Sequence, residues 1–191
     1  MITANFHYRI LVVDDDEQIR QVSEHILSHC GYEVRTARHG FEALALMRKA
    51  LPDLIISDLN MPNMSGFELL SIVRRRFPQL PVIAITGEYS TSETEVLLAD
   101  AIFHKGQYSP DQLFKEIQSL LEHSPIRPHL PKADRAPVWL PRNGNYVVLT
   151  CTDCLRSFSI SEEETEKGPH ELPCVYCDTH IRFSLEPKGK P

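Results

Sequence analysis

The sequence has few of the features that mark a membrane or secreted protein. No stretch approaches the ~18 consecutive apolar residues of a membrane span, and the chain does not open with a basic and then apolar leader. We therefore expect a cytoplasmic protein without a membrane span. Its 42% hydrophobic and 24% charged residues argue against disorder throughout, and its 191 residues have room for one or two ordinary domains.

The sequence also lacks an excess of basic residues. Residues 1–123 contain 11 Lys or Arg against 17 Asp or Glu, and residues 124–191 contain 9 of each. Proteins that bind nucleic acids usually present a basic face, because neutralisation of phosphates supplies most of their affinity. The charge balance therefore disfavours nucleic acid as a partner. The run Arg74–Arg76 is most simply the solvated end of a helix, where cations suit the helix dipole.

Cysteine is scarce in the first part of the chain, and proline is also unevenly placed. Four of the five cysteines lie within residues 151–177, and five of the 14 prolines lie within residues 125–141. This clustering predicts a domain over residues 7–123, a semi-extended proline-rich linker over residues 124–145, and a small module over residues 146–186.

Residues 8–109 alternate short β-branched runs with helical periodicity, which is typical of βα units around a parallel sheet. Amphipathic segments lie between the runs, and a last one covers about residues 110–122. The sequence therefore predicts a doubly wound α/β domain with a five-stranded parallel sheet. The candidate strands are residues 9–13, 33–37, 53–57, 81–86 and 100–104.

Polar residues follow four of these candidate strands. Because the carboxyl ends of parallel strands meet at one edge of a sheet, we expect these side chains to converge. Clustered carboxylates repel one another, and a hard divalent cation such as Mg²⁺ is the usual compensation. The residues are Asp14, Asp15, Asp58, Thr86 and Lys105.

The pattern resembles the receiver domain of two-component response regulators over about residues 7–123. The run Ile10–Asp15 is similar to the first strand of that family with its acidic pair, and Ser57–Pro62, followed by Ser65 and Gly66, is similar to its phosphoacceptor loop. The resemblance departs at Gly106, where the family usually has a proline after its lysine. It implies a doubly wound fold and a role in signalling rather than an enzyme.

The resemblance also implies a role for each polar residue. Asp58 would accept a phosphoryl group from a histidine kinase or a phosphotransfer protein. Lys105 would pair with the phosphoryl oxygens, and Thr86 would reorient to hydrogen-bond them. The implied Mg²⁺ ligands are Asp14, Asp15, Asp58 and the main-chain carbonyl of Asn60.

The cysteines form two C-x2-C pairs separated by 19 residues, a spacing that is typical of structural zinc sites. Two structural disulfides or a redox pair are the alternatives, and a cytosolic setting without a surrounding βαβ unit disfavours both. Four thiolates would close a tetrahedral Zn²⁺ site and leave no position for a catalytic water. The candidate ligands are Cys151, Cys154, Cys174 and Cys177.

Alternating apolar residues flank the cysteine pairs, and the module resembles a small β zinc ribbon of bacterial regulatory proteins over about residues 145–186. Ribbon knuckles commonly have glycine after the second cysteine, where this chain has Leu155. From Tyr146 to Arg182 the module carries three basic and seven acidic residues. This balance favours a protein partner over DNA.

The sequence therefore predicts a phosphorylation-controlled switch, in which the domain with Asp58 controls a zinc-ribbon module that binds an effector protein. The alternative from another class is a DNA-binding transcription regulator that uses the ribbon and the arginines of the linker. A phosphatase-like enzyme is weaker, because the sequence offers no second nucleophile.

Overall fold

A computed structural model describes residues 7–87, 98–123, 138–140, 146–161 and 171–185. Its central element is a five-stranded parallel sheet made of β1 (Arg9–Val13), β2 (Glu33–Ala37), β3 (Leu54–Asp58), β4 (Val82–Thr86) and β5 (Ala101–His104). The strand order is β2-β1-β3-β4-β5, so the winding direction reverses between β1 and β3. This order confirms the predicted doubly wound α/β fold.

Polar caps set the starts of all four helices in the described residues, and His39 caps the second by accepting from the backbone N–H of Glu42 at 3.3 Å. Asp16 caps the first helix, whereas Ser65 and Ser109 begin the third and fourth helices with capping boxes. None of the described helices is long and apolar enough to cross a membrane. The helices are α1 (Glu17–His29), α2 (Gly40–Lys49), α3 (Gly66–Arg76) and α4 (Pro110–Glu122).

Two apolar cores cover the faces of the sheet. Leu11 and Val13 of β1 belong to the core beneath α2 and α3. Ile10 and Val12 belong to the core beneath α1 and α4. Because side chains of a strand alternate between faces, the four consecutive apolar residues of β1 serve both cores, as a parallel sheet buried on both faces requires.

The C-terminal module consists of short strands. An antiparallel hairpin joins β7 (Tyr146–Thr150) to β8 (Ser157–Ser161), and β9 (Glu171–Pro173) pairs antiparallel with β10 (His180–Leu185). Within the predicted linker, Val138–Leu140 forms β6, which pairs parallel with β10. The rest of the predicted linker lies outside the described residues. Each antiparallel pair encloses one C-x2-C motif, so the two motifs lie in corresponding turns.

Candidate functional sites at the strand ends and in the cysteine module

The predicted polar cluster assembles at the carboxyl edge of the sheet. Asp14 and Asp58 are buried, with 3% and 4% of their surface exposed, whereas Asp15 is exposed. One carboxylate oxygen from each of the three residues lies within 4.8 Å of the other two. The three carboxylate oxygens therefore lie around one common point.

Lys105 reaches into this cluster from the end of β5. Its Nζ lies 2.5 Å from Oδ2 of Asp58 and 3.2 Å from Oδ2 of Asp14. Burial acts to lower the pKa of Lys105, but the hydrogen bond to Asp58 and the charge of Asp14 raise it above its ordinary value. Burial raises the pKa of Asp14, with the Lys105 charge acting in the opposite direction. The lysine is thus held as a cation between two buried carboxylates.

Thr86 and Asn60 lie at the same edge of the sheet. Thr86 is buried at the end of β4, and its carbonyl oxygen accepts a hydrogen bond from the backbone N–H of Lys105 at 2.8 Å. Asn60 is exposed, and its backbone N–H donates to Oδ1 of Asp58 at 3.0 Å. Both predicted residues therefore contact a member of the cluster through their main chain.

Gly66, the first residue of α3, allows the loop after Asp58 to fold tightly against the helix. A Cβ atom at this position would lie 2.0 Å from the carbonyl oxygen of Asp58 and 2.8 Å from Cα of Leu59. The backbone N–H of Gly66 donates to the carbonyl of Leu59 at 3.0 Å. Any larger residue would push the Asp58 backbone away from its position.

Arg20 is a contact of the site that the sequence did not reveal. One nitrogen of its guanidinium group, Nη1, donates to the carbonyl oxygens of Asp14 and Asp15, at 2.7 and 2.9 Å. This contact fixes the backbone of the acidic pair from the first turns of α1. The only sequence feature that points to Arg20 is the position of a basic residue one to two helical turns after the acidic run.

The acidic cluster fits a hard divalent cation. Mg²⁺ prefers oxygen ligands at ~2.0–2.1 Å in octahedral geometry, so two of its ligands lie about 3 to 4.2 Å apart. The carboxylates of Asp14, Asp15 and Asp58 lie within 4.8 Å of one another and need only small shifts to reach that geometry. These three residues have the chemistry to hold Mg²⁺.

The four cysteines of the module also converge. Their Sγ atoms all lie within 4.8 Å of one another, with Cys151 to Cys177 and Cys154 to Cys174 at 3.7 Å. Zn–S bonds of ~2.3 Å in a tetrahedron place the sulfurs about 3.8 Å apart. The spacing therefore fits a four-thiolate Zn²⁺ site, and each pair of close sulfurs joins one motif to the other.

The two cysteine turns share one hydrogen-bond pattern. In the first turn, Cys151 Sγ accepts from the backbone N–H of Asp153 at 3.4 Å, and Leu155 adopts a left-handed backbone with φ of 55°. In the second turn, Cys174 Sγ accepts from Tyr176 at 3.4 Å, and Asp178 has φ of 57°. The leucine that replaces the usual glycine therefore keeps the glycine-like backbone.

The thiol groups differ in their acidity. Burial raises the pKa of Cys151 and of Cys154 above the ordinary thiol value. Cys177 is exposed, and its hydrogen bonds with the side chain and backbone of Thr179 lower its pKa to about 6. Metal ligands must be thiolates, and the lowered pKa of Cys177 favours that form.

An apolar groove opens beside the acidic cluster, between α1 and α4. Its volume is 430 Å³, and its walls include Ile19, Val22 and Ile26 of α1. These three side chains are 37%, 57% and 38% exposed, which is unusual for apolar residues on one helix face. Asp58 and Lys105 line the same groove, so the apolar surface leads directly to the cluster.

Residues 10–118 match the family model of the response regulator receiver domain. The protein named probable transcriptional regulator ycf27 of Porphyra purpurea is 35% identical over 118 residues, which are 61% of this chain and 48% of that protein. The uncharacterized transcriptional regulatory protein YrkP of Bacillus subtilis is 44% identical over 93 residues, or 48% of this chain and 39% of that protein. The chain thus spans about half or less of the length of these relatives.

Solved structures resemble the same part of the chain. The chemotaxis response regulator CheY4 of Vibrio cholerae is 38% identical, with a TM-score of 0.56, over 60% of this chain and 99% of its own. The response regulator TrrA of Thermotoga maritima, solved in complex with Mg²⁺-BeF, is 33% identical with a TM-score of 0.55, over 59% of this chain and 98% of its own. Since the family model also matches more than half of the chain, the protein belongs to the response regulator receiver domain family.

Proposed function

We propose that the chain is a response regulator of a two-component phosphorelay in which Asp58 accepts a phosphoryl group from a histidine kinase or a phosphotransfer protein. The observation that carries the proposal is the position of the Asp58 carboxylate, which is buried at the end of β3 among Lys105, Asp14 and Asp15. A bond would form from Asp58 Oδ to phosphorus as the N–P bond of a phosphohistidine breaks. The imidazole nitrogen of the donor keeps the electron pair.

The residues around Asp58 supply the electrostatics that this transfer needs. Negative charge spreads over the phosphoryl oxygens in the transition state, so fixed cations and donors nearby lower the barrier. Lys105 already places its ammonium group 2.5 Å from Asp58 and would follow the phosphoryl oxygens once they arrive. Thr86 would donate its hydroxyl to them. The phosphoryl group would bring further negative charge and acceptor oxygens, which would then bias the surrounding loops.

Mg²⁺ supplies further charge neutralisation when it is bound. We assign its ligands to Asp14, Asp15, Asp58 and the main-chain carbonyl of Asn60. The TrrA structure, solved in complex with Mg²⁺-BeF, supports a magnesium-dependent site in a protein of this fold. Lys105 and the ion together would balance the three carboxylates and the incoming phosphoryl group.

The apolar groove between α1 and α4 fits the phosphodonor protein. A donor must bring its phosphohistidine to the buried Asp58, so a docking surface has to begin at the site itself. The groove meets that condition, because Asp58 and Lys105 line it together with the exposed Val22 and Ile26. Such apolar stripes are the surfaces that amphipathic helices of a partner cover.

The cysteine module would hold a structural Zn²⁺ ion through Cys151, Cys154, Cys174 and Cys177 and would act as the output module of the protein. The sulfur spacing supports this assignment. The acidic balance of the module supports a protein effector rather than nucleic acid. No catalytic role follows, since four thiolates complete the coordination of the metal.

Labelling with acetyl phosphate tests the phosphoacceptor. In the presence of Mg²⁺, intact mass spectrometry should detect one added phosphate on the wild type and none on Asp58→Asn. Asp16→Asn is the matched control, because Asp16 is an exposed carboxylate that caps α1 and asparagine caps a helix equally well. Equal labelling of Asp58→Asn and the wild type would end the proposal.

A DNA-binding regulator is the second candidate, because several relatives are named transcriptional regulators. Those names belong to proteins of which this chain matches at most about half. The test is binding of random duplex DNA across a salt series by the full chain. A steep loss of affinity with salt would favour this candidate, since it reports displaced counterions.

A further inference from the structure

The cysteine module and the α/β domain share one apolar core. The buried cluster that contains Leu44 and Met47 of α2 and Ile72 of α3 continues into the module. Strand β6 also packs against α3. The module is therefore docked onto the α2 and α3 side of the domain. The residues that the module contributes to this buried cluster are Val147, Leu149, Cys151, Leu155, Cys174, Ile181 and Phe183.

A hydrogen bond from α2 recognises the backbone of the first cysteine turn. Nη1 of Arg48, in the last turn of α2, donates to the carbonyl oxygen of Leu155 at 2.8 Å. The left-handed conformation of Leu155 sets the direction of that carbonyl, while its side chain is buried in the shared core. Hydrogen bonds from a charged donor are stronger than neutral ones. The hydrogen bond from Arg48 therefore depends on the backbone conformation of the first cysteine turn.

A second contact comes from the end of α3. Nε of Arg76 lies 3.8 Å from Oδ1 of Asp153, which belongs to the same cysteine turn. The other carboxylate oxygen of Asp153 accepts a hydrogen bond from Oγ1 of Thr179, beside the second cysteine turn, at 2.9 Å. Asp153 therefore joins both turns to α3.

The shape of the surface that Arg48 and Arg76 contact depends on the four sulfurs. The two turns meet where Cys151 approaches Cys177 and Cys154 approaches Cys174, beside the hydrogen bond between Thr179 and Asp153. Thiols form weak hydrogen bonds, whereas a metal with four thiolates would fix both turns in one arrangement. Loss of the metal would therefore release the turns and, with them, the carbonyl of Leu155.

We infer that the α2–α3 face of the receiver domain is the docking site of the chain's own cysteine module, and that metal binding to the four cysteines controls this docking. The inference rests on the zinc site proposed above. While the metal is bound, this face is closed to other proteins. When the metal is lost, the apolar surface of α2 and α3 becomes available to a partner.

The docking contacts lie at the opposite ends of α2 and α3 from the phosphoacceptor loop. Gly40 begins α2 and bonds through its backbone N–H to Met64 of that loop at 3.1 Å, whereas Arg48 is eight residues further on, about 12 Å along the helix. Phosphorylation chemistry at Asp58 therefore does not need the docked module. This separation lets one experiment distinguish the two proposals.

Hydrogen exchange of the full chain tests the inference. The protein is measured with one equivalent of Zn²⁺, after removal of the metal by a chelator under reducing conditions, and after Zn²⁺ is added back. We expect exchange at the C-terminal ends of α2 and α3 to rise at least tenfold without metal and to recover when it returns, since docking contacts protect those amides. Unchanged exchange without metal would overturn the inference.

Arg48→Ala separates docking from metal binding. It should keep one Zn²⁺ per chain by metal analysis, yet show exchange that is about tenfold or more faster at the end of α2 and in the first cysteine turn, as expected for one lost hydrogen bond from a charged donor. Lys49→Ala, an exposed neighbour on the same helix, is the matched control. Identical exchange in the two variants would contradict the inference.

Acetyl phosphate labelling is measured on the same samples. Labelling of Asp58 in both the metal-loaded and metal-free protein agrees with docking that is independent of the phosphoacceptor. A failure to label would remove the phosphoacceptor proposal alone. A chain that binds no Zn²⁺ but keeps the ends of α2 and α3 protected would remove both the zinc site and the metal-controlled docking.

Discussion

At the scale of single residues, Gly66 shows how closely the phosphoacceptor loop is packed. Gly66→Ala should destabilise the protein by roughly 1–3 kcal/mol and reduce labelling by acetyl phosphate, because its Cβ would lie 2.0 Å from the carbonyl oxygen of Asp58. Gly87→Ala is the control, since among the described residues no heavy atom beyond its chain neighbours lies within 4 Å of a Cβ there, and it should change stability by no more than ~0.5 kcal/mol. Urea unfolding and intact mass measure both effects.

Asp14 should make stability depend on pH. Burial raises its pKa in the folded chain, so folding is favoured when Asp14 is protonated and is penalised as pH rises through that raised pKa. Without Mg²⁺, Asp14→Asn should therefore unfold at higher urea concentration than the wild type at pH 7. The difference should vanish near pH ~3, where the carboxyl is protonated in both states. Asp15→Asn, at an exposed position, is the control, and an equal gain there would contradict this account.

Leu155 combines a strained backbone with a buried side chain. Leu155→Ala should cost about 2–5 kcal/mol, because it loses the buried side chain and keeps the left-handed φ of 55°. Leu155→Gly loses the same burial but relieves about 1 kcal/mol of strain, so we expect it to be the more stable of the two. Asp178→Gly, with φ of 57° at an exposed position, should not destabilise. Urea unfolding of the zinc-loaded chain gives the order.

At the scale of elements, the exposed apolar face of α1 should determine how fast a donor protein transfers its phosphoryl group to Asp58. Val22→Glu places a charge in the groove, so it should slow phosphotransfer from purified histidine kinases of the source organism by about tenfold or more. Labelling by acetyl phosphate should not change, because this donor needs no docking surface. Gln21→Glu, outside the groove on the same helix, should behave like the wild type. Slower labelling by both donors would instead indicate damage to the site.

Sequence patterns predicted the elements better than they predicted the contacts between them. The apolar strands and their polar ends were enough to place Asp14, Asp58 and Lys105 together, because topology alone brings parallel strand ends to one edge. The interpretation of Arg74–Arg76 as solvated was wrong for Arg74, which forms an ion pair with Asp100 at 2.5 Å while the two side chains are 11% and 5% exposed. Hydrophobic periodicity carries no signal for such pairs.

The docking of the module onto the α/β domain could not be predicted from the sequence, for a related reason. Arg48 and Leu155 are 107 positions apart, and neither residue type is unusual in its local setting. The proline-rich segment predicted a semi-extended linker in which residues 138–140 either pack onto a neighbouring module or bind a partner, and Val138–Leu140 forms a strand that lies against α3. Only the folded chain shows that one apolar core extends through both parts.

At the scale of the whole molecule, a shared core predicts that the metal-loaded chain unfolds in one step. Far-ultraviolet circular dichroism follows the helices of the α/β domain, and the fluorescence of Trp139, the single tryptophan, follows the segment that contains β6. With Zn²⁺ bound, the two signals should change at the same urea concentration, as cooperative unfolding requires.

Without Zn²⁺, the fluorescence change should come first, because the turns that Arg48 and Arg76 contact lose their fixed shape while the parallel sheet and the acidic cluster remain. Cys174→Ser should reproduce this separation even when Zn²⁺ is present, since three thiolates and a hydroxyl bind the metal less well. Cys30→Ser is the matched control, because Cys30 is exposed at the end of α1 and outside the cluster. Two signals that separate even in the metal-loaded wild type would show that the module and the domain unfold independently, and the single-core account would then fail.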